Sequence, residues 1–546
     1  MSTTSNSWRQ LLPSFSEYRN LKQTWRADLV AGITVGIVAL PLALAFGVSS
    51  GVGAEAGLIT AIVAGLVAAV FGGSNVQVSG PTGAMVVVLA PIVAAHGVAS
   101  VFVVSVMAGL IVALAGLLRL GRTVNYIPWP VIEGFTVGIG VIIFLQQVPA
   151  AFGDSGGNHS SNAAVAALQS VSSVPWPKSF WPLGIVILTA SLMLFLARLN
   201  KRLPASFLAI ALITLLSSIL DLPLALIGEL PSSLPMPALP DFNLSLLQEL
   251  SGPAFAVAAL AAIESLLSAR VAASMAETGA VNADRELFCQ GLASIASGFF
   301  GGMPATGAIA RTAVNVRSGG RTRLSAILHS LTLLTVVYLA AQVVSNIPLA
   351  ALAGVLMVTA SKMISIPIMK QVLRSTRSDA LVYIVTAVIT VSFDLIIAVG
   401  IGIAAASFFA LRTLSRTSGV HREELSGAPQ PGDERIALFR IEGSLFFGAT
   451  ERVLERINEH EGIDVVILRL SQLQFIDATG AHTLTDLLIA LEHRGITVLI
   501  KGIKPQHRKV LQRLEVIDSL RDPKHLFSDL EAAIEHARSH IARSNL

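Results

Sequence analysis

Between Ala56 and Leu118 the sequence contains no Asp, Glu, Lys or Arg. A soluble domain does not bury so long an uncharged run. A bilayer accepts it as at least two spanning helices of about 20 residues each. Charge is scarce overall, at 13% of the 546 residues against 53% hydrophobic. Cysteine is scarcer still. Cys289 is the single one, which excludes an internal disulfide and a cysteine-based metal site and reads as a small apolar helix residue. No basic patch interleaves with aromatics, so the formal net charge of +4 points to membrane-flanking loops and away from nucleic acid. No cleavable signal peptide shows: the first 26 residues are polar and carry Arg9, Arg19, Lys22 and Arg26. A catalytic triad, a metal-ligand cluster and a nucleotide-binding loop are also missing, so no enzyme is expected.

The charge that is present is unevenly placed. After Val420 lie 35 of the 72 charged residues (38 basic and 34 acidic), which marks a soluble C-terminal domain. Ahead of it the hydropathy gives spans at about 29–48, 56–71, 99–118, 129–149, 180–197 and 204–220. A half-length helix starts at Pro81 or Thr82, after a short strand-like Val76–Ser79. The second half supplies 254–275, 286–300, a short helix from about 305, then 324–344, 348–365, 380–392 and 395–411. The fold expected is an α-helical polytopic membrane protein of 14 segments, two of them half-helices. The even-numbered loops hold the basic residues, among them Arg119, Arg122, Arg198, Lys201, Arg202, Arg285, Arg321, Arg323, Lys370 and Arg374. That places both termini in the cytoplasm. Pro223–Gly252 has no basic residue and reads as an outer loop. The boundaries expected are a cytoplasmic segment 1–26, a transport domain 27–411, a polar linker 412–430 and a domain 431–546. In the last, strands at Arg435–Arg440, Val465–Leu470 and Ile496–Ile500 alternate with helices at Thr450–His460, Gly480–His493, Pro505–Leu514 and Phe527–Ala542, a small α/β domain.

Against this apolar background, Gly301–Ala313 carries three Gly, a Pro, two Thr and Arg311. An Arg beside a Gly/Pro break is costly at bilayer depth and marks function. Thr306-Gly307-Ala308 repeats Thr82-Gly83-Ala84, and Pro41 and Thr82 are 41 residues apart, as are Ser265 and Thr306. The chain therefore reads as two repeats of seven segments, with half-helices starting near Thr82 and Thr306. Short, broken segments at matching places in two halves mark a transporter's binding site. Their N-termini offer free N–H groups and positive partial charge, which suit an anion, and Arg311 adds a full charge. Arg311 reads equally as a partner of Glu264 or of backbone carbonyls. Glu264 is an isolated carboxylate in its span, read as a cation ligand or proton carrier with a structural hydrogen bond as the alternative. Ser268, one turn on, shares its helix face. The pair would suit Na⁺, and the carboxylate alone H⁺.

Three stretches, Ala39–Phe46 (ALPLALAF), Val78–Ala84 (VSGPTGA) and Ile263–Ser268 (IESLLS), with Gly301–Asn315 and the C-terminal domain, resemble the SulP family of anion transporters over about residues 20 to 540. The resemblance implies a seven-plus-seven inverted repeat split into core and gate subdomains, a cytoplasmic STAS domain, and a homodimer in the cytoplasmic (inner) membrane. It implies secondary active transport of a small inorganic or dicarboxylate anion by Na⁺ or H⁺ symport, with an elevator-like motion and no other cofactor. Carried over, the substrate residues are Leu42, Phe46, Thr82, Gly83, Ala84, Gly307, Ala308 and Arg311, and the coupling-ion residues are Glu264 and Ser268. Leu42 and Ala310 stand where relatives often have polar residues, which makes this pocket more apolar. The form Leu40-Pro41-Leu42-Ala43 resembles bacterial bicarbonate and dicarboxylate carriers more than plant-type sulfate carriers. In the STAS domain, Thr479 falls at the phosphorylated position of the similar anti-sigma-factor antagonists, where a cytoplasmic partner would bind. An N-cap made by Asp477 or Thr479 is the other reading. An uncoupled exchanger or channel, and a membrane-tethered regulator, are the competing functions.

Overall fold

The computed structural model describes residues 11–544 apart from 15–16, 18–20, 154–161, 175, 177, 201–202, 231–232, 240–242, 276–278, 280, 393–394, 418 and 446–461. The helix expected at Thr450–His460 lies outside the described residues. The chain divides into two compact units, residues 1–403 and 404–546.

The first half of the membrane unit runs α1 (Leu21–Ser49), α2 (Ala54–Phe71), strand β1 (Ser79–Gly80), α3 (Gly83–His96), α4 (Ala99–Leu117), α5 (Trp129–Gln146), the short α6 (Val148–Ala151) and α7 (Ala163–Ser172), α8 (Phe180–Leu199) and α9 (Ala205–Ile219). The second half runs α10 (Leu244–Met275), α11 (Ala283–Phe299), β2 (Thr306–Gly307), α12 (Ile309–Arg317), α13 (Arg323–Ser345), α14 (Leu349–Met363), α15 (Ile366–Leu373), α16 (Arg377–Ser392) and α17 (Leu395–Thr417). With α6, α7 and α15 set aside as connectors, these are seven segments and seven.

Packing separates them into two bodies. Helices α1–α4 pack with α10–α13, whereas α5, α8 and α9 pack with α14 and α16. This is the core and gate division. In both bodies small residues let helices meet closely. A Cβ on Gly65 would lie 2.7 Å from Ser330 Oγ, and one on Gly138 would lie 2.5 Å from Thr390 Cβ.

Three expectations change. Helix α1 begins at Leu21, ahead of the expected 29, because amphipathic residues extend the apolar span outward. Helix α10 begins at Leu244 with Pro253 inside it, so the stretch read as an outer loop through Gly252 ends in two helical turns. The stretch 412–430, read as a linker, holds the end of α17 and strand β3 (Gly419–Glu423).

Among its described residues the second unit holds a five-stranded sheet in the order β3, β4 (Ile436–Leu445), β5 (Val465–Ile476), β6 (Thr497–Lys501), β7 (Leu526–Phe527). Strand β3 pairs antiparallel with β4 and the remaining pairs are parallel. Helices α18 (Ala478–His493), α19 (Pro505–Arg513) and α20 (Leu530–Ser544) accompany it. Near-continuous apolar strands such as Val465–Leu468 are what a parallel sheet buried on both faces requires, and both faces here carry apolar clusters.

Candidate functional site

The two chain breaks meet in a two-residue ladder. Strands β1 and β2 pair antiparallel, Ser79 opposite Gly307 and Gly80 opposite Thr306. Each runs straight into a half-helix, so α3 and α12 leave the ladder in opposite directions with their N-termini held together. Thr82 stands at the N-cap position of α3 and Ala308 at that of α12, and neither makes a side-chain cap bond. The leading N–H groups of a helix have no intrahelical partner. Here they stay uncapped, with the positive end of each helix turned to the same small region.

Thr82 does not cap because its hydroxyl is diverted. It donates to Glu264 Oε2 at 2.8 Å, and Thr306 Oγ1 donates to the same oxygen at 2.8 Å. The two hydroxyls are 3.2 Å apart. Three oxygens from α10 and from both breaks thus converge. Glu264 Oε1 has no hydrogen bond among the described residues, and the residue is part-buried. The structure therefore brings Glu264 together with Thr82 and Thr306. It does not join Glu264 to Ser268, whose hydroxyl lies 3.3 Å from Thr312 Oγ1.

Arg311 is buried, and its Nη2 donates to the carbonyl of Pro81. Of the two readings of this side chain, the backbone-carbonyl partner is the one present; no ion pair with Glu264 lies among the described residues. Arg311 Nη1 is buried without a partner, so the guanidinium retains a donor beside the entrance to α3.

Leu42, Phe46, Ala84 and Ala308 are all buried. A Cβ on Gly83 would lie 2.3 Å from Ile143 Cδ1 and 3.4 Å from Phe46 Cε1. Ile143 of the gate and Phe46 of the core therefore cover the start of α3. Ile143 was not legible as a site residue, since an isoleucine in an apolar span gives no signal. Its neighbour Ile142 lines a cavity of about 590 Å³ between α3 and α10 on one side and α5 and α16 on the other, with Val87, Pro91, Ala256 and Thr390.

Gly307 faces elsewhere. Its N–H donates to Ser265 Oγ at 3.0 Å, and the N–H of Ala308 to Val78 O at 2.8 Å. A Cβ on Gly307 would fall 1.8 Å from Gln77 Nε2. Gln77 belongs to a second polar cluster around Glu286. Glu286 Oε2 accepts from the N–H groups of Gly73 at 2.7 Å and Ser74 at 3.2 Å. Its Oε1 accepts from Gln77 Nε2 at 3.0 Å and Gln290 Nε2 at 2.9 Å. Gln290 also donates to Ser79 Oγ at 2.6 Å. The cluster fixes the run into β1. Sequence reasoning missed Glu286 because its neighbour Arg285 read as a flanking loop charge. The Glu286-Gln290 spacing of one helical turn was the available signal.

A family model described as the sulfate permease family matches residues 25–386, and a STAS domain model matches residues 429–533. The chain belongs to the sulfate permease family. Its members are transporters, and this chain is a multi-pass membrane anion transporter and not an enzyme. Among relatives of this family member, a putative sulfate transporter, YvdB of Bacillus subtilis, is 33% identical over 90% of this chain and 94% of its own length. The bicarbonate transporter BicA of Picosynechococcus is 30% identical over 94% of each. The solved structure of the murine anion transporter Slc26a9 has the same fold, with a TM-score of 0.85 over 98% of this chain and 96% of that one, at 17% identity.

In the STAS domain, Asp477 Oδ1 accepts from the N–H of Gly480 at 2.7 Å. Asp477 is thus the N-cap of α18, and Thr479 stands exposed in its first turn.

Proposed function

We propose that this chain is a secondary active symporter that carries a small anion together with Na⁺ or H⁺. It sits in the cytoplasmic membrane with both termini inside, works as a homodimer, and moves its core against its gate in an elevator-like way. The observation that carries the reading is the sharing of Thr82. Its backbone opens the half-helix at which an anion is attracted, while its hydroxyl holds the carboxylate that a cation would neutralise. A cation at Glu264, with Thr82 and Thr306 Oγ1 as further oxygens, changes the field at the anion's position. Hard cations take oxygen ligands of this kind, and a proton needs the carboxylate alone.

The anion is taken to lie at the start of α3, next to Gly83 and Ala84 and within reach of the spare Arg311 donor, under Leu42, Phe46 and Ile143. Gly307 and Ala308 shape the floor through the ladder, since their N–H groups are already engaged. So apolar a lid makes a doubly charged anion costly to dehydrate. Bicarbonate, with one charge, is the substrate favoured over sulfate. BicA, a relative, is named for that transport, and the form Leu40-Pro41-Leu42-Ala43, which resembles that of bacterial bicarbonate and dicarboxylate carriers, points the same way.

Uptake of labelled bicarbonate, sulfate and succinate into proteoliposomes, under separate Na⁺ and H⁺ gradients, tests the reading. Accumulation of bicarbonate above equilibrium under one of the two gradients is expected. Equilibration of every anion with no response to either gradient would make it an uncoupled exchanger or channel.

A further inference from the structure

The second unit contains a cluster that anion transport does not use. His525, His536 and His540 each place one ring nitrogen within 4.8 Å of the other two. Their ring centroids form a near-equilateral triangle, 5.5 Å, 6.0 Å and 6.1 Å on a side. His525 Nδ1 and His536 Nε2 are buried with no hydrogen-bond partner. A buried polar atom left unpaired costs roughly 1–3 kcal/mol, so two in one cluster call for a ligand.

Both supports of the cluster are rigid. His536 and His540 are one turn apart on α20 and so project from the same face. That helix is held to the sheet by Ala533, Ile534, Ala537 and Ile541, all buried. His525 precedes β7, which pairs with β6 at Ile500 and Lys501. It ends a short 3-10 turn capped by Asp522, whose Oδ1 accepts from the N–H of Lys524 at 2.9 Å. The ring of Phe527 packs 5.3 Å from that of His536.

We propose that His525, His536 and His540 form a Zn²⁺ site that clasps the last helix of the domain to its edge strand. Three imidazoles and one water are a common tetrahedral set for zinc, with nitrogens about 2.0–2.1 Å from the metal. The only metal-like feature legible in sequence is the spacing of His536 and His540, and its third member lies across a turn and a strand.

The test uses the full-length protein in detergent, stripped with a chelator and titrated with Co²⁺, then Zn²⁺ in competition with a chromophoric chelator. Strong visible bands of tetrahedral Co²⁺, bleached by one Zn²⁺ per chain, are expected. His536→Gln with His540→Gln should weaken Zn²⁺ by about 100-fold or more, beyond the 10–100-fold usual for losing an outer-shell partner. His493→Gln, an exposed histidine elsewhere in the domain, should leave it unchanged. Absence of the Co²⁺ bands in the wild type overturns the proposal, and needs no variant to fold. Equal Zn²⁺ affinity in the double variant and the wild type overturns it as well.

Discussion

Two glutamates of the core both draw partners from distant parts of the chain, yet they are held differently. Glu286 is saturated: two backbone N–H groups take one oxygen and two side-chain amides the other. Glu264 receives two hydroxyls on one oxygen and leaves the other open. A carboxylate whose lone pairs are all engaged has nothing to exchange, so its role is to fix the backbone around it. One with an open oxygen and hydroxyl donors on the other could, on the proposed reading, trade them for a cation. Position in a membrane span marks both as costly; the symport proposed above assigns a change of state to the second alone.

The largest effect that would break this contrast lies at Glu286. Replacement by Ala leaves four donors without their acceptor, and a buried unpaired donor costs about 1–3 kcal/mol. We expect a marked fall in the thermal midpoint of the detergent-purified protein; a midpoint within a degree or two of wild type would remove the structural role. Next comes Gly307→Val, whose Cβ would overlap Gln77 Nε2 and so pull one donor from Glu286. It should lower stability and transport together, whereas loss of anion affinity at full stability would return Gly307 to direct contact with substrate.

Thr306→Ala removes one of two donors to Glu264 Oε2. We expect coupling-cation affinity, measured as the concentration dependence of uptake, to fall about tenfold, or roughly 1.4 kcal/mol. An unchanged value would detach the threonines from the cation. The smallest effect lies at Glu17, ahead of α1. Burial opposes its charge, but hydrogen bonds and charges from Arg285 and Arg323 prevail and hold its carboxyl below the ordinary 4.5. A folded value below the unfolded one stabilises in full above about 4.5 and is lost as pH falls through the folded value. Glu17→Gln should therefore lower stability slightly at pH 7, by an amount that shrinks as pH falls below about 4.5. An effect that does not shrink would exclude the charge.

Much of this was legible. An uncharged run, the basic loops and two Gly/Pro breaks define the 14 segments, because a bilayer tolerates few alternatives. Glu264 stood out for want of charged neighbours. What escaped was register and partnership. The shared Thr-Gly-Ala suggests half-helices starting alike, but Thr82 stands at the N-cap position of α3, whereas Thr306 lies in β2 and Ala308 stands at that of α12. The echo is two residues out of step with the helices. Ser268 shares a helix face with Glu264 yet turns to Thr312, a choice made by α12 and not by α10. Arg285 and Arg323 read as loop charges, but both are buried and grip Glu17. Such partners lie far apart in the chain, and no local pattern announces them.

In the proposed symport the open oxygen of Glu264 couples cation to anion, while the anion site itself lies elsewhere. Glu264→Gln keeps the shape and one acceptor oxygen, and removes the charge. In proteoliposomes preloaded with unlabelled bicarbonate, the variant should still exchange it for labelled bicarbonate. Under a cation gradient it should fail to accumulate. Accumulation at the wild-type level by the Glu264→Gln protein would contradict the account.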